Sequence, residues 1–321
     1  MSKHDVRRFA LLLILGGLAG TASARDYPLV GDVIGELGGT VTARTDTIAD
    51  IAKANSQGYN EMRLANPEVD PWLTGDGTQV LIPSQYVLPK GPREGIVINI
   101  PEMRLFHFLP SVKGGGRTVA TYPISIGRQD WTTPHGATKV VGKVKDPSWT
   151  PPESIRREHA LEGDILPAVV APGPHNPLGA YALRLGFDGY LIHGTDKPYG
   201  IGMRVTHGCM RLYPDDIAKV FKTVPVGTPV RLVNQPLKLG VVDGRLMLEA
   251  HPPLEEDTAR VDAEQFSTVA KLLLAYNERY ELSVDWQALR RAVYRKDGVP
   301  ADVGRAVERV SGAAASTAMV P

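Results

Sequence analysis

The stretch LIHGTDKPYGIGMRVTHGCMRL, from Leu191 to Leu212, holds the single cysteine of a 321-residue chain, Cys209. It opens on an apolar run typical of a β-strand, and His193 stands at the end of that run. His207 and Gly208 come directly before the cysteine, and a glycine suits a tight turn because it adopts backbone conformations that other residues avoid. The stretch therefore predicts a strand end and a turn that present reactive side chains at the rim of a sheet.

The sequence around this stretch predicts a mostly β domain over residues 95–234. Apolar runs rich in Val, Ile and Tyr are separated by Gly and Pro, as in antiparallel and barrel-like folds. One connection, residues 144–179, is long and rich in proline, and long loops inside a compact domain are commonly functional lids. A helix is predicted for PDDIAKVFKTV, where Pro214 falls in the first turn. The strand-like runs are IVINI, RLFHF, TVATYPISIG, TKVVGKV, YALRLG, GYLIHGT and GTPVRLVN.

The regions on either side of this domain have patterns of their own. Residues 40–89 have a β-α-α-β pattern, with Asp46 and Asn60 as candidate N-cap or first-turn residues of the helices. LPKGPREG (88–95) has the composition of a linker. Residues 236–311 predict an accessory subdomain, with a hairpin that turns at Asp243-Gly244 and two helices after it. The last ten residues, 312–321, have the composition of a disordered tail.

The composition and the first 24 residues indicate what kind of partner to expect and in which cellular compartment the protein acts. The net charge is +1, and no basic stripe stands out, so nucleic acid is not an expected partner. A basic leader, the apolar run FALLLILGGLAG and small residues at Ala22 and Ala24 indicate a cleaved signal peptide over residues 1–24. We therefore expect an exported protein. With one cysteine it cannot form an internal disulfide, so the thiol is either buried and inert or free and reactive.

The residues around Cys209 support nucleophilic chemistry. A thiolate forms more readily when an imidazole accepts its proton, and His193 and His207 are the two candidates. A turn at Gly208 would aim the amides of Gly208 and Cys209 at one point, as an oxyanion hole requires. Two other interpretations remain open: a buried thiol beside two core histidines, and a zinc site. The spacing His-x13-His-x-Cys is not a familiar zinc pattern, so neither metal nor cofactor is expected.

The motif HGT…THGCMRL resembles that of the L,D-transpeptidases with a YkuD-type catalytic domain, HG-x(n)-[ST]HGC-x-R. GIVINIPEMRL, YPISIG, DWTTPHG, PSWTPP and NPLGAYALRLG extend the resemblance over most of the chain, and TDTIADIA, NP and GTQVLIP at the front resemble a LysM module, which binds glycans. Thr206 stands where serine is commoner, and Thr45 where LysM usually has glycine. The resemblance implies a β-sandwich-like catalytic domain, a small βααβ LysM-like module and an α+β C-terminal subdomain.

The resemblance also implies roles for single residues. Cys209 would be the nucleophile and His193 the proton donor and acceptor, with Gly194 orienting His193. Gly208 would supply an oxyanion amide, and His207 would shape the site. Arg211 would shape the site or hold a substrate carboxylate, and a buried structural ion pair is the alternative for it. The remaining candidates for contact with substrate are Tyr190, Thr195, Thr206, Trp131 and Trp149.

The expected reaction is acyl transfer in the periplasm through a thioester on Cys209. The donor would be a peptidoglycan tetrapeptide stem of the meso-diaminopimelate type, with D-Ala as the leaving group. The acceptor would be a second stem, giving a 3→3 cross-link, or a lysine of an outer-membrane lipoprotein. Carbapenems would acylate the same thiol. Two alternatives remain: a hydrolase of the same fold that trims the stem or releases the lipoprotein, and a wall-binding protein with an inactive catalytic domain.

Overall fold

A computed structural model describes residues 26–111 and 116–309. The predicted signal peptide (1–24) and the predicted tail (312–321) lie outside the described residues. The described part contains nineteen strands and six α-helices. In chain order these are β1 (Asp26–Pro28), β2 (Val33–Gly35), β3 (Gly38–Val41), α1 (Ile48–Ala54), α2 (Tyr59–Ala65), β4 (Gln79–Ile82), β5 (Gln85–Val87), β6 (Gly95–Asn99), β7 (Arg104–Phe108), β8 (Thr118–Pro123), β9 (Ile126–Gly127), β10 (Gly136–Lys145), α3 (Glu153–Leu161), β11 (Tyr181–Leu185), β12 (Leu191–His193), β13 (Arg204–Thr206), β14 (Met210–Arg211), α4 (Pro214–Thr223), β15 (Pro229–Val233), β16 (Leu237–Val242), β17 (Arg245–Ala250), α5 (Thr258–Asn277), β18 (Tyr280–Val284), α6 (Trp286–Arg295) and β19 (Ala301–Glu308).

The central region is built on a nine-stranded sheet in the order β1-β8-β7-β6-β15-β10-β11-β12-β14. The long strand β10 joins its two halves. Its first residues pair with β15 and its later ones with β11, and the register shifts between Val140 and Gly142. Such an irregularity bends a strand and increases its twist. The region is therefore mostly β with a curled sheet, which agrees with the predicted fold class at this level.

One apolar core lies between the two halves of the curled sheet. Ile98 and Leu105 come from one half, Leu183 and Ile192 from the other, and all four side chains are fully buried. Burial of one such side chain contributes about 1.5–3 kcal/mol. α4 packs on the same core through Ile217 and Val220, and its buried apolar face agrees with the helix predicted there. This core fixes the edge formed by β12 and β14, where the motif histidine and cysteine lie.

The front of the chain forms the predicted β-α-α-β unit from β3, α1, α2 and β4, with a small apolar core of its own. Of the two predicted helix-start residues, Asn60 lies in the first turn of α2, as predicted, whereas Asp46 lies before the cap of α1. Thr47 caps α1, since its hydroxyl accepts from the Asp50 amide, and α2 begins after Gly58, whose amide donates to Glu61. Asp46 instead accepts from the Ala43 amide, in the turn before the helix.

The segment predicted as a linker, residues 88–95, forms polar contacts with residues before and after it in the chain. The Lys90 amide donates to the Gln235 side chain at 2.8 Å, and Arg93 pairs with Asp32 at 2.5 Å. Leu88 is 4% exposed. The Pro and Gly content indicated an irregular segment, but the contacts with residues far along the chain fix it in place.

The C-terminal part contains the predicted hairpin and helices together with two strands that were not predicted. β16 and β17 pair up to Val242 and Arg245, so the turn is Asp243-Gly244, with positive φ at both residues. β18 and β19 extend this hairpin into a four-stranded sheet, on which α5 and α6 pack. None of the helices in the described ranges is long and apolar enough to span a bilayer.

Candidate active site

His193 and Cys209 belong to neighbouring elements at one end of the curled sheet. β12 pairs in parallel with β14, and His193 lies opposite Arg211. The Leu212 amide donates to the His193 carbonyl at 2.9 Å, which extends this pairing by one residue. Because Cys209 directly precedes β14, the turn that carries the thiol is attached to the strand that ends at His193.

The His193 imidazole is buried and held in one tautomer. Its Nδ1 lies 2.7 Å from the Gly194 carbonyl, and a carbonyl only accepts, so Nδ1 carries the proton. Nε2 then carries no proton and is the ring atom that can accept one. Burial and, to a lesser degree, the positive charge of Arg211 lower the pKa of His193 to about 3, against the opposite effect of hydrogen bonds to the Gly194 and Leu178 carbonyls. The predicted contact with Gly194 is present, and the imidazole is a neutral base at neutral pH.

Thr206 closes the turn that carries Cys209. Its hydroxyl donates to the Cys209 carbonyl at 2.6 Å and accepts from the Gly208 amide at 3.2 Å. Its side chain is 1% exposed. Thr206 was predicted to contact substrate, but its hydroxyl is used inside the turn. The methyl group that distinguishes it from serine is buried there as well.

The Gly208 amide was predicted to point into an oxyanion hole. In the structure this amide already donates to Thr206, so the geometry does not favour that role. The glycine itself is required: its φ is +98°, and a Cβ at this position would lie 2.9 Å from Cε1 of Tyr190. The turn at Gly208 is thus the predicted one, while the predicted use of its amide is not supported.

The Cys209 thiol is partly exposed, and its Sγ lies 3.7 Å from the Gly189 carbonyl. Burial raises the pKa of the Cys209 thiol, while a hydrogen bond from the Leu191 backbone and the charge of Arg211 act in the opposite direction. The resting site therefore pairs a neutral thiol with a neutral imidazole. This protonation state favours proton transfer during attack by the sulfur over proton transfer before it.

A cavity of about 420 Å³ opens onto this thiol. Most of the predicted site residues line it: Trp131, Trp149, Tyr190, His193, Thr206, His207, Cys209 and Arg211. Thr195 does not. It is 5% exposed, and its hydroxyl accepts from the Lys197 amide, so the structure does not favour the predicted contact with substrate. Aromatic walls and one cation surround the nucleophile.

Arg211 is the cation of this cavity and has no acidic partner at ion-pair distance among the described residues. Its Nε is buried without a hydrogen-bond partner. Burial lowers the pKa of Arg211, although the charges of Asp196 and Cys209 raise it. The alternative of a structural ion pair is not observed for the described part of the chain. A buried guanidinium with an unused donor is suited to a carboxylate ligand.

Comparisons with known proteins point to one family. The L,D-transpeptidase catalytic domain, YkuD, matches residues 93–232. The chain is 38% identical over 292 residues to the probable L,D-transpeptidase ErfK/SrfK of Escherichia coli K12, covering 88% of this chain and 92% of that protein. It is 39% identical over 260 residues to the probable L,D-transpeptidase YcfS of the same strain, covering 79% of each chain. The chain belongs to the L,D-transpeptidase family.

A solved structure from the same family is more distant. The L,D-transpeptidase from Mycobacterium tuberculosis H37Rv is 18% identical, with a TM-score of 0.32, and the match covers 63% of this chain and 90% of that one. The family assignment of this L,D-transpeptidase rests on the sequence relatives.

Two residues that contact the motif of this L,D-transpeptidase were missed by sequence reasoning. Glu158, on α3, lies 3.0 Å from Nε2 of His207, and Arg128 pairs with the same carboxylate at 2.6 Å. His207 also packs edge-on against Trp131, with ring centroids 5.1 Å apart. Neither Glu158 nor Arg128 belongs to a motif near Cys209, and only the fold brings them together.

The L,D-transpeptidase has one group of residues with metal-ligand spacing among those described, away from Cys209. It consists of Glu102, Glu249 and His251, all buried. The Lys238 ammonium lies 2.8 Å from a carboxyl oxygen of Glu102 and of Glu249, so it occupies the centre of this group. Among the described residues, Cys209, His193 and His207 do not form a group with metal-ligand spacing, so the zinc alternative is not supported.

Proposed function

We propose that the enzyme transfers the acyl group of a peptidoglycan tetrapeptide stem to an amine, in the periplasm, through a thioester on Cys209. The observation that carries the proposal is the fixed tautomer of His193. Its Nδ1 is bonded to the Gly194 carbonyl, so Nε2 is the ring atom that can accept a proton, and His193 lines the same cavity as the thiol. The periplasmic location rests on the signal-like residues 1–24.

In the acylation step, Cys209 Sγ attacks the carbonyl at the L-centre of meso-diaminopimelate as its proton moves to His193 Nε2. The tetrahedral intermediate then collapses, the bond from carbon to nitrogen breaks, and the imidazolium protonates the departing amine of D-Ala. The products are a thioester and free D-Ala. The Cys209 amide is the remaining predicted donor to the oxyanion, because the Gly208 amide donates to Thr206.

Arg211 is proposed to bind the carboxylate of the departing D-Ala. The guanidinium is buried in the cavity, it has a donor with no partner, and no acid among the described residues neutralises it at short range. A planar guanidinium binds a carboxylate through two parallel hydrogen bonds. This contact would select stems that end in a free carboxylate.

In the second step an acceptor amine attacks the thioester carbonyl and gives its proton to His193, and the thiol is released. The acceptor is proposed to be an amine of a second stem or of a lipoprotein lysine. Water as acceptor would make the enzyme a hydrolase, so the experiment must separate the two products. Purified enzyme is incubated with defined tetrapeptide muropeptides, with and without an acceptor, and the products are identified by mass spectrometry.

Cross-linked dimer or acceptor conjugate as the main product supports transfer. Tripeptide alone in the presence of acceptor supports the hydrolase. Cys209→Ala should give no product and no enzyme adduct while remaining folded. A carbapenem should add covalently to the wild-type enzyme and not to this variant, because its strained ring acylates thiols at the same site.

Residues 40–89 are proposed to bind glycan and to hold the enzyme on the wall. The βααβ order and the LysM-like residues support this. Full-length Cys209→Ala protein should sediment with purified sacculi, and soluble chitin-type oligosaccharides should shift NMR signals of residues 40–89. Protein that stays in the supernatant would indicate that this unit serves only in packing.

A further inference from the structure

The connection between β10 and β11 forms one wall of the thiol cavity. Trp149, Pro152 and Ile155 line the same cavity as Cys209. α3 lies in this connection and buries only Ile155. Leu161, at its end, and Ile165, after it, are 86% and 77% exposed. Apolar packing therefore holds α3 weakly, so polar contacts have to fix its position.

Glu158 makes these polar contacts, and it makes them to the catalytic motif. Arg128 donates to its Oε1 at 2.6 Å, and His207 donates from Nε2 to its Oε2 at 3.0 Å. A carboxylate only accepts, so this bond fixes the His207 tautomer. Burial lowers the pKa of His207, and the hydrogen bond from Arg128 lowers the pKa of Glu158. A neutral imidazole thus donates to an ionised carboxylate at neutral pH.

His207 has little freedom once this bond forms. One side of its ring meets the edge of Trp131, with an interplanar angle of 76°. It is two residues from Cys209, and the backbone between them is the tight turn at Gly208, whose φ is +98°. A shift of the His207 backbone would therefore move the turn and, with it, the sulfur.

We propose that Glu158 is a positioning residue for the nucleophile: by holding His207 it fixes the turn that carries Cys209, and it does so only while α3 covers the cavity. The proposal rests on the proposed thioester chemistry at Cys209. Closure of α3 and alignment of the thiol become one event. The thiol is then aligned when the donor stem is covered and water is excluded.

Three variants of the full chain test this. Glu158→Ala removes the acceptor, and Glu158→Gln keeps an oxygen that can accept from His207. Glu153→Gln is the control, because Glu153 lies on the same helix and forms an exposed pair with Arg157, at 2.9 Å, away from the cavity. The readouts are kcat and KM for the stem donor, and the Nε2 proton of His207 in protein with ¹⁵N-labelled histidine.

In Glu158→Ala, kcat should fall by about ten- to a hundred-fold while KM changes less than about two-fold, as expected when a catalytic group is misplaced. The His207 proton signal should disappear. Glu158→Gln should recover the signal and most of kcat, and Glu153→Gln should match the wild type. Wild-type kcat in a Glu158→Ala protein that lacks the signal would overturn the proposal. So would a Glu158→Gln protein that keeps the signal and is as slow as the alanine variant.

A third readout separates this proposal from the proposed function. Alkylation of Cys209 by iodoacetamide needs no stem peptide, so it reports on the thiol even if the wild type does not turn over stems. Glu158→Ala should differ from Glu153→Gln by at least about three-fold in this rate, since reactivity follows exposure and local environment. Equal rates would overturn the positioning role whatever the substrate is.

Discussion

At the scale of single residues, the motif predicted which atoms meet but not all of their partners. Cys209, His193 and the Gly194 carbonyl could be placed from sequence because a strand end and a glycine turn present them. The hydrogen bonds of the Thr195 and Thr206 hydroxyls could not be predicted. In the sequence, a hydroxyl that closes a local turn looks the same as one that faces a ligand. Glu158 is 49 residues from His207, so local pattern carries no signal for that contact.

His193 and His207 should differ in what their removal costs. His193→Ala should lower the acylation rate by about two to four orders of magnitude, the usual cost of losing general acid–base catalysis. Because His193 is 3% exposed, its loss should also lower the melting temperature by a few degrees. His207→Ala should lower the rate less and release α3 from the motif. Stopped-flow acylation with thermal melts compares the two. A fast, well-folded His193→Ala enzyme would mean that another group is the base.

The pH dependence of acylation follows from the neutral forms of the His193 imidazole and the Cys209 thiol in the free enzyme. His193, with a pKa of about 3, stays a neutral imidazole throughout the neutral range. The raised pKa of Cys209 keeps the thiol protonated there. The stem acylation rate should be flat between about pH 5 and pH 8. Alkylation by iodoacetamide should instead rise with pH up to the raised thiol pKa, since it requires the thiolate. An acid limb near pH 6 in the acylation profile would contradict a neutral, buried His193.

At the scale of elements, strands and helices with a clear apolar period were predictable and irregular ones were not. β6, β7, β11 and α4 follow from their sequence patterns. α3 does not, because it buries one residue and follows two prolines. β1 is three residues long and pairs with β8 about ninety positions away, so its conformation depends on a partner that the local sequence does not reveal.

The turn at Gly208 allows a test at this scale. Gly208→Ala should destabilise the fold by about 1–3 kcal/mol through backbone strain and should also slow acylation, because the new Cβ would lie 2.9 Å from Tyr190. Gly227→Ala is the control: its φ is +93°, close to that of Gly208, but its Cβ would meet nothing within 4 Å. Gly227→Ala should lower the stability by a similar amount but leave the acylation rate unchanged. Equal acylation rates in the two variants would show that the contact with Tyr190 does not matter for the site.

At the scale of the whole molecule, buried polar contacts join the three parts of the chain. Arg104, on β7, is 1% exposed and pairs with Glu61 of α2 at 2.5 Å, which ties the front unit to the catalytic sheet. The Tyr59 amide donates to the Ile201 carbonyl across the same boundary. Lys238 of the C-terminal part pairs with Glu102 of the catalytic region and with Glu249 of its own part. The sequence showed where the parts change character but not that they share buried charges.

Lys238 lies at the centre of the contact between the catalytic region and the C-terminal part. Its removal should strongly destabilise the molecule. Its ammonium donates to the Val87 carbonyl at 2.6 Å and lies 2.8 Å from each of the carboxylates of Glu102 and Glu249, all with fully buried side chains. Lys238→Met keeps the apolar stem but leaves two carboxylates buried without their cation. Breaking a buried pair in this way costs about 3–5 kcal/mol. Lys296→Met, which removes a more exposed ion pair with Asp262, should cost no more than about 1 kcal/mol.

The cost of Lys238→Met should also depend on pH. Burial already raises the pKa of Glu102, and removal of the ammonium raises it further, so the carboxyl takes up a proton in the folded variant more readily than in the unfolded chain. A raised carboxyl pKa means that stability is lost as pH rises, so the difference from the wild type should be larger at pH 8 than at pH 5. Urea unfolding at both pH values measures it. A difference that is equal at the two pH values, or larger at pH 5, would mean that uncompensated carboxylate charge is not what destabilises the variant.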